Sequence, residues 1–470
     1  MRPTRSLGVL AAALAVACSV LVTAAAAPAG ASTVTTIAPG LTLTTYAGPP
    51  KIFVLTIDPA QSLRVNTALA GPQIGDFAPT SGIASANGAL AAINGDFTVG
   101  GWSAGDPGHP MHPFSRGGDL VLQGVAGTAL GFANDGRHVG IDARRPSMMF
   151  QNLTTKGRMA VSELNSGNPS NGDVVGYTTY GLGGGIHPQP RRCSARLRAP
   201  SPLHWASTTQ VGVYRDWVVD KVACQPGRML VKQGSLVLSA GTWGPGARAI
   251  KALAAGGHVR VSWSLGWGGV DETMGGMPEL VTNGKNTAPP ASCHVYFCNP
   301  NARSAVGVTS TGQILLVVVN GGRGRGLSLH ALGDEMVSLG ATYAMNLDGS
   351  GGATMWVKGM GVLNNPSDGS ERPVTNALLV MPSSTAEPLP RPFVKAKARI
   401  GTAPLGSAPV AFGLVSGARA RSLLATDLAD PGSTGGLMDA LVAGALGRHP
   451  SLPPAYRGMA RTFRLSQPAR

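Results

Sequence analysis

Two Asn-x-Asp pairs, Asn94/Asp96 and Asn346/Asp348, each close an apolar run that reads as a strand. On an extended chain, alternate residues share a face, so each pair presents an amide and a carboxylate together. That combination suits sugar hydroxyls, a cation, or acid–base work at a polar centre. Asn and Asp before glycine also begin ordinary turns. The repetition of the pair in one context, with Arg303 nearby in sequence, favours chemistry. A third cluster, Asn365 to Pro373, places Ser367, Asp368, Glu371 and Arg372 within six residues, with Pro366 and Pro373 restricting its ends. An arginine fork there can bind phosphate or carboxylate oxygens in bidentate fashion. The alternative, an exposed Glu371–Arg372 pair, would contribute little.

Other signals carry less. Gly101-Trp102-Ser103-Ala104-Gly105 has the letters of a nucleophile elbow, but Asp106-Pro107-Gly108 follows where a helix must start. His109 and His112 sit in a proline-rich loop that leaves metal binding open, though loop histidines are more often ligands of nothing. Gly322, Gly324 and Gly326 lack the strand–helix setting of a dinucleotide site. The Asp348 loop has Gly359 where a calcium loop needs glutamate. No cofactor and no metal site is expected from the residues, although they leave a divalent cation open.

These residues need strand ends to hold them. Ser304–Val308 and Gln313–Val319 read as two strands around a Ser-Thr-Gly turn. The second is apolar on both faces and therefore central. Leu329, Leu332, Met336 and Leu339 then form a helical stripe stopped by Gly340. Thr342–Leu347 and Thr354–Val357 follow as strands. Upstream, Ser81–Leu90 and Ala247–Ala255 read as short helices, and residues 119–180 as a run of short strands. The fold class expected is α+β: mixed, mostly antiparallel sheets, few helices, and glycine-rich active-site loops at strand ends.

The composition agrees, since charged residues make up only 13% of the 470 while Gly (66) and Pro (36) are abundant, which favours strands and loops over long surface helices. Arg2, Arg5, the apolar Leu7–Val22 and Ala29-Gly30-Ala31 form an export signal over residues 1–31, with a membrane anchor and a lipidated Cys18 as alternatives. The remaining Cys193, Cys224, Cys293 and Cys298 allow three disulfide pairings. Nearest neighbours, Cys193–Cys224 and Cys293–Cys298, are preferred over a zinc site, for which C-x-x-C spacing is missing. The net charge of +15 comes from scattered arginines with no long basic run, which argues against nucleic acid and for attraction to anionic wall polymers or phosphate-bearing substrates. The organisation expected is an N-terminal strand region (32–80), a catalytic domain (81–381) with an inserted loop at 181–210, a linker (382–395), and an Ala/Gly/Arg-rich tail (396–470) with a helix near Leu437–Leu446.

The motifs A-A-I-N-G-D-F (91–97), R-S-A-V-G-V-T (303–309), G-A-T-Y-A-M-N-L-D-G (340–349) and N-N-P-S-D-G-S-E-R-P-V-T-N-A-L-L-V (364–380) resemble the phosphodiester glycosidase family. G-D-V-V-G-Y-T-T-Y-G (172–181) and G-G-M-P-E-L-V (275–281) add to the resemblance, which covers most of residues 80–381. It implies a secreted hydrolase that cleaves the glycosidic side of a sugar-1-phosphodiester, releasing free sugar and a phosphomonoester. An oxocarbenium-like centre needs carboxylates beside the anomeric carbon, and the phosphate leaves with little acid assistance. Asp348, Asp96, Glu371 and Asp368 are the expected catalytic and supporting carboxylates. Asn94, Arg303, Asn346, Arg372, Ser367, Arg323 and Thr354 are expected on the substrate, with the arginines at the phosphate. The expected partner is a sugar-phosphate or glycoconjugate substrate, with no nucleic acid and no stable membrane insertion after signal removal.

The chain departs from the family pattern twice. V-D-G-R becomes Val319-Asn320-Gly321-Gly322-Arg323. D-G-G-G-S becomes Asp348-Gly349-Ser350-Gly351-Gly352-Ala353-Thr354, with Ser350 standing in for one hydroxyl. A weakened carbohydrate- or wall-polymer-binding protein and a P–O cleaving phosphodiesterase are the competing readings.

Overall fold

The computed structural model describes residues 32–383, apart from 101–107, 117–118, 125–126, 134–138, 145, 166–172, 185–187, 200–205, 209–211, 226, 267–269, 294–295 and 323. The expected signal with Cys18, the Ser103 elbow, Arg323, the linker beyond Ser383 and the tail lie outside these residues.

Two antiparallel sheets stacked face to face carry the site. The larger runs, in spatial order, Ser32–Ala38, Leu41–Tyr46, Ile52–Ile57, Ile314–Val319, Arg303–Thr309, Ala341–Asn346, Glu279–Thr282 and Lys285–Asn286. Ile314–Val319 is buried along its whole length at the middle of this sheet, as an uninterrupted apolar run requires. The smaller has the order Gly361–Val362, Met355–Val357, Ala91–Asn94, Asn376–Pro382 and Leu63–Leu69. Between them lies one apolar layer: Leu55, Ile57, Val306, Leu316, Val318 and Met345 from the larger sheet meet Val65, Ile93, Met355, Leu378 and Val380 from the smaller. Their period-2 alternation leaves a second apolar face on each sheet, and a helix covers it.

On the larger sheet that helix is Leu329–Ser338, capped by the Ser328 hydroxyl accepting from Ala331 N–H, with Leu329, Leu332 and Met336 buried against Val54, Leu315 and Val317. On the smaller sheet it is Thr80–Ala86, with Ile83 and Ala84 packed on Ala92, Ala377 and Leu379. The order is helix, sheet, sheet, helix. The strands of residues 32–80 are integral to it: Ile52–Ile57 pairs with Ile314–Val319, and Leu63–Leu69 with Asn376–Pro382.

A nine-stranded sheet forms its own core with the helix Gly244–Lys251. The loop expected at 181–210 is corrected here. Arg192–Arg198 is an interior strand of this sheet, hydrogen-bonded to Gly212–Gln225 on one side and Ser235–Ala240 on the other. The Gly, Pro and Arg content of the stretch reads as loop, yet Cys193, Ala195 and Leu197 alternate into the core, and that alternation decides the matter. The two disulfides are Cys193–Cys224 and Cys293–Cys298, the first joining register partners of adjacent strands. Three α-helices occur among the described residues, and one strand pair, Glu163–Leu164 with Val174–Tyr177, is parallel. The fold is thus mostly antiparallel sheet with few helices, as the sequence predicts.

Candidate active site

The two Asn-x-Asp turns leave different sheets and are stitched together. Asn94 ends Ala91–Asn94 in the smaller sheet, and Asn346 ends Ala341–Asn346 in the larger. Asp348 N–H donates to Gly95 C=O (3.0 Å), and the Asn94 amide donates to Asp348 C=O (2.7 Å). The Asn94 side-chain oxygen accepts from the Ser304 hydroxyl (2.7 Å) and from Thr354 N–H (3.2 Å). Asn94 therefore uses both ends of its amide to lock the sheets, where a substrate contact was expected. The Asn346 amide donates to Met277 C=O (2.7 Å), while its side-chain oxygen and the Thr354 hydroxyl are buried without a hydrogen-bond partner among the described residues.

Asp348 lies buried over the turn Ser350–Gly352. A Cβ on Gly352 would stand 2.7 Å from its Oδ2, so the glycine is what admits the carboxyl there. Burial pushes the Asp348 pKa from 3.8 up to about 7. Arg372 opposes that rise, Asp96 and Asp368 add to it, and a hydrogen bond from Gly349 N–H lowers it. Asp348, Asp96, Asp368 and Arg372 thus share one electrostatic cluster. Asp368 packs on Gly351, where a Cβ would be 2.0 Å from its Oδ2, and it accepts from Arg372 Nε (2.8 Å) and Nη2 (2.7 Å). The pair is partly exposed, whereas the two carboxylates deeper in the site are buried.

Asp96 is gripped from three directions. Phe97 N–H and the His112 ring donate to Oδ1 (2.7 and 2.6 Å), and His112 N–H donates to Oδ2 (2.7 Å). Asp96 N–H in turn donates to the Asn376 side-chain oxygen (2.7 Å). From sequence, His112 was named as a loop histidine but had no part in the expected site. Only its position between Pro110 and Pro113 hinted at a ring held by a stiff loop.

Other predicted residues are placed elsewhere. Both Glu371 oxygens are engaged by Ser81, Oε2 by its N–H (2.9 Å) and Oε1 by its hydroxyl (2.5 Å). Glu371 thereby serves the start of Thr80–Ala86, where a carboxylate complements the unpaired N–H groups. The buried Arg303 guanidinium donates to three carbonyls, Leu327 (3.0 Å), Phe297 (3.0 Å) and Asn299 (2.6 Å), and so braces the loop closed by Cys293–Cys298. Ser367 is exposed in the Asn365–Pro373 loop. Asn320, where the family pattern has a carboxylate, accepts from Asn365 N–H (3.1 Å) and ties that loop to the central strand. Among the described residues no group of three or more His, Cys, Asp or Glu is placed to hold a metal ion.

Residues 207–381 match the model of the phosphodiester glycosidase family, a shorter stretch than the motifs cover. It includes Arg303, Asp348, Asp368 and Arg372, while Asp96 and His112 precede it. No curated protein matches the chain in sequence. Among solved structures, the fold is similar to a hypothetical protein from Synechocystis, with TM-score 0.56 and 20% identity, covering 75% of this chain and 64% of that one. It is also similar to a protein from Burkholderia pseudomallei K96243 named as a candidate exported protein, with TM-score 0.53 and 22% identity over 72% of this chain and 75% of that one. The catalytic domain of zebrafish N-acetylglucosamine-1-phosphodiester alpha-N-acetylglucosaminidase aligns at TM-score 0.38 and 14% identity, over 74% and 81% of the two chains. The chain carries a phosphodiester glycosidase family domain over residues 207–381.

Proposed function

We propose that this chain is an exported hydrolase that cleaves the glycosidic side of a sugar-1-phosphodiester, giving free sugar and a phosphomonoester. The observation that carries the proposal is the Asp348 carboxyl, buried beside Asp96 and titrating at about 7. A group with that pKa exchanges protons readily at neutral pH, which is what general acid–base work asks of it. Asp96, whose oxygens accept from the Phe97 and His112 N–H groups, is the second carboxyl held ready for an oxocarbenium-like centre.

In the step these roles imply, water attacks the anomeric carbon and gives its proton to the Asp348 carboxylate. The bond from that carbon to the phosphate oxygen breaks, and its electron pair leaves with the phosphate. Arg372, beside both Asp348 and Asp368, matches the charge that develops on the departing oxygen. Export is supported by the two disulfides, which persist in oxidising compartments. Among the described residues no helix is long and apolar enough to cross a membrane.

The test is incubation of the chain from Ser32 onward with UDP-N-acetylglucosamine and related sugar-1-phosphodiesters, with and without chelator. Free sugar plus UDP is expected. Sugar-1-phosphate plus UMP would move the assignment to a phosphodiesterase, and binding without turnover would make this a carbohydrate-binding protein.

A further inference from the structure

We propose that His112 is the positioning residue of Asp96, holding its carboxylate toward the anomeric carbon so that the two side chains act as a unit; this rests on the glycosidase reading above. One residue grips both oxygens of Asp96: the ring Nδ1 meets Oδ1 at 2.6 Å, and the backbone N–H donates to Oδ2 at 2.7 Å. With a carboxylate on Nδ1, that nitrogen carries the proton. A carboxylate seized at both oxygens by a ring and its own backbone has little freedom to rotate.

The fold makes room for the ring. His112 is fully buried, Phe97 meets it edge-on with centroids 6.5 Å apart, and a Cβ on Gly275 would fall 1.9 Å from the His112 Cβ. Its Nε2 is enclosed without a hydrogen-bond partner among the described residues. A histidine kept only to satisfy the core would be expected to pair both nitrogens. Here, among the described residues, Asp96 is the ring's one polar partner, and Phe97 and Gly275 supply its packing. Of the charged groups, Asp96 touches the ring directly, and Asp96 in turn acts on Asp348, as do Asp368 and Arg372. Glu272, on the strand packed against the ring, accepts from Thr67 N–H at 2.8 Å. Because the Asp96 charge bears on Asp348, misaiming Asp96 also disturbs the group that carries the proton.

Two substitutions separate positioning from packing. His112→Ala removes the ring's hold on Oδ1 and keeps the backbone N–H on Oδ2, whereas His112→Asn places an amide N–H near the position of Nδ1. The alanine variant is expected to lose roughly 10- to 100-fold in kcat, with KM within about threefold, the loss of one charge-assisted hydrogen bond at the reacting centre. The asparagine variant is expected to recover most of that loss, and thermal unfolding of both confirms that they fold. Unchanged kcat in His112→Ala would overturn the proposal. So would a folded His112→Asn as impaired as the alanine variant, since the imidazole itself would then be needed. If the unaltered chain releases no free sugar, the glycosidase reading fails, visibly and separately, and takes this role with it.

Discussion

Replacing Asp348 by asparagine should stabilise this protein while destroying its activity, and the gain should depend on pH. The carboxyl is buried, and its pKa rises from 3.8 to about 7. Because the folded value lies above the unfolded one, the folded chain keeps this proton over a range where the unfolded chain has lost it. Stability from the group is complete below the unfolded pKa and declines as pH climbs to the folded one. A rise from 3.8 to about 7 corresponds to roughly 4 kcal/mol at 1.36 kcal/mol per pKa unit, all of it lost by pH 8. Asparagine keeps the shape and an acceptor for Gly349 N–H and carries no charge, so the variant escapes that loss. With an unfolding entropy of about 2.1 cal/mol/K per residue over roughly 350 residues, 4 kcal/mol shifts Tm by about 5 °C. Differential scanning of both proteins should therefore give nearly equal Tm at pH 4, and a variant about 5 °C higher at pH 8. Turnover by the variant should fall by roughly 10²- to 10⁴-fold, the usual worth of a positioned acid–base group. An equal Tm difference at both pH values would show that Asp348 does not titrate between 3.8 and 7, and the acid–base argument would fall with it.

Gly352→Ala should cost roughly 1–3 kcal/mol and at least about tenfold in kcat, because its Cβ would lie 2.7 Å from the Oδ2 of a buried carboxyl that cannot step aside. Gly351→Ala meets the Oδ2 of Asp368 at 2.0 Å, but that side chain is 37% exposed and can swing out, so KM should rise with Tm nearly unchanged. Denaturant unfolding and steady-state kinetics on the two variants check this contrast; equal Tm losses would refute it. Ser81→Ala should destabilise by about 1 kcal/mol through the lost bond to Glu371 and leave kcat within about twofold. A collapse of kcat in that variant would put Glu371 back in the chemistry.

The strands were readable because period-2 burial leaves its pattern in the residues: Ile314–Val319 is apolar at every position, and a central strand must be. The helix Leu329–Ser338 was equally plain from its stripe and the Gly340 stop. Arg192–Arg198 was not, since the Gly, Pro and Arg content of residues 181–210 reads as a loop, and only pairing with strands on both sides declares it interior. The same holds at the site. Asp96, Asp348, Asp368 and Arg372 could be picked out as chemical groups close to glycine turns. Whether each faced a substrate or the protein was a matter of partners far away in sequence.

Sequence alone determined the strands and helix that carry the site motifs, a preference among three disulfide pairings and the family motifs, because these depend on local spacing and residue chemistry. Tertiary structure alone decided that Arg303 braces three carbonyls, that Glu371 serves a helix 290 positions upstream through Ser81, and that His112 grips Asp96. It also set the proton affinity of Asp348, since desolvation and the nearness of other charges exist only once two sheets have closed over the carboxyl.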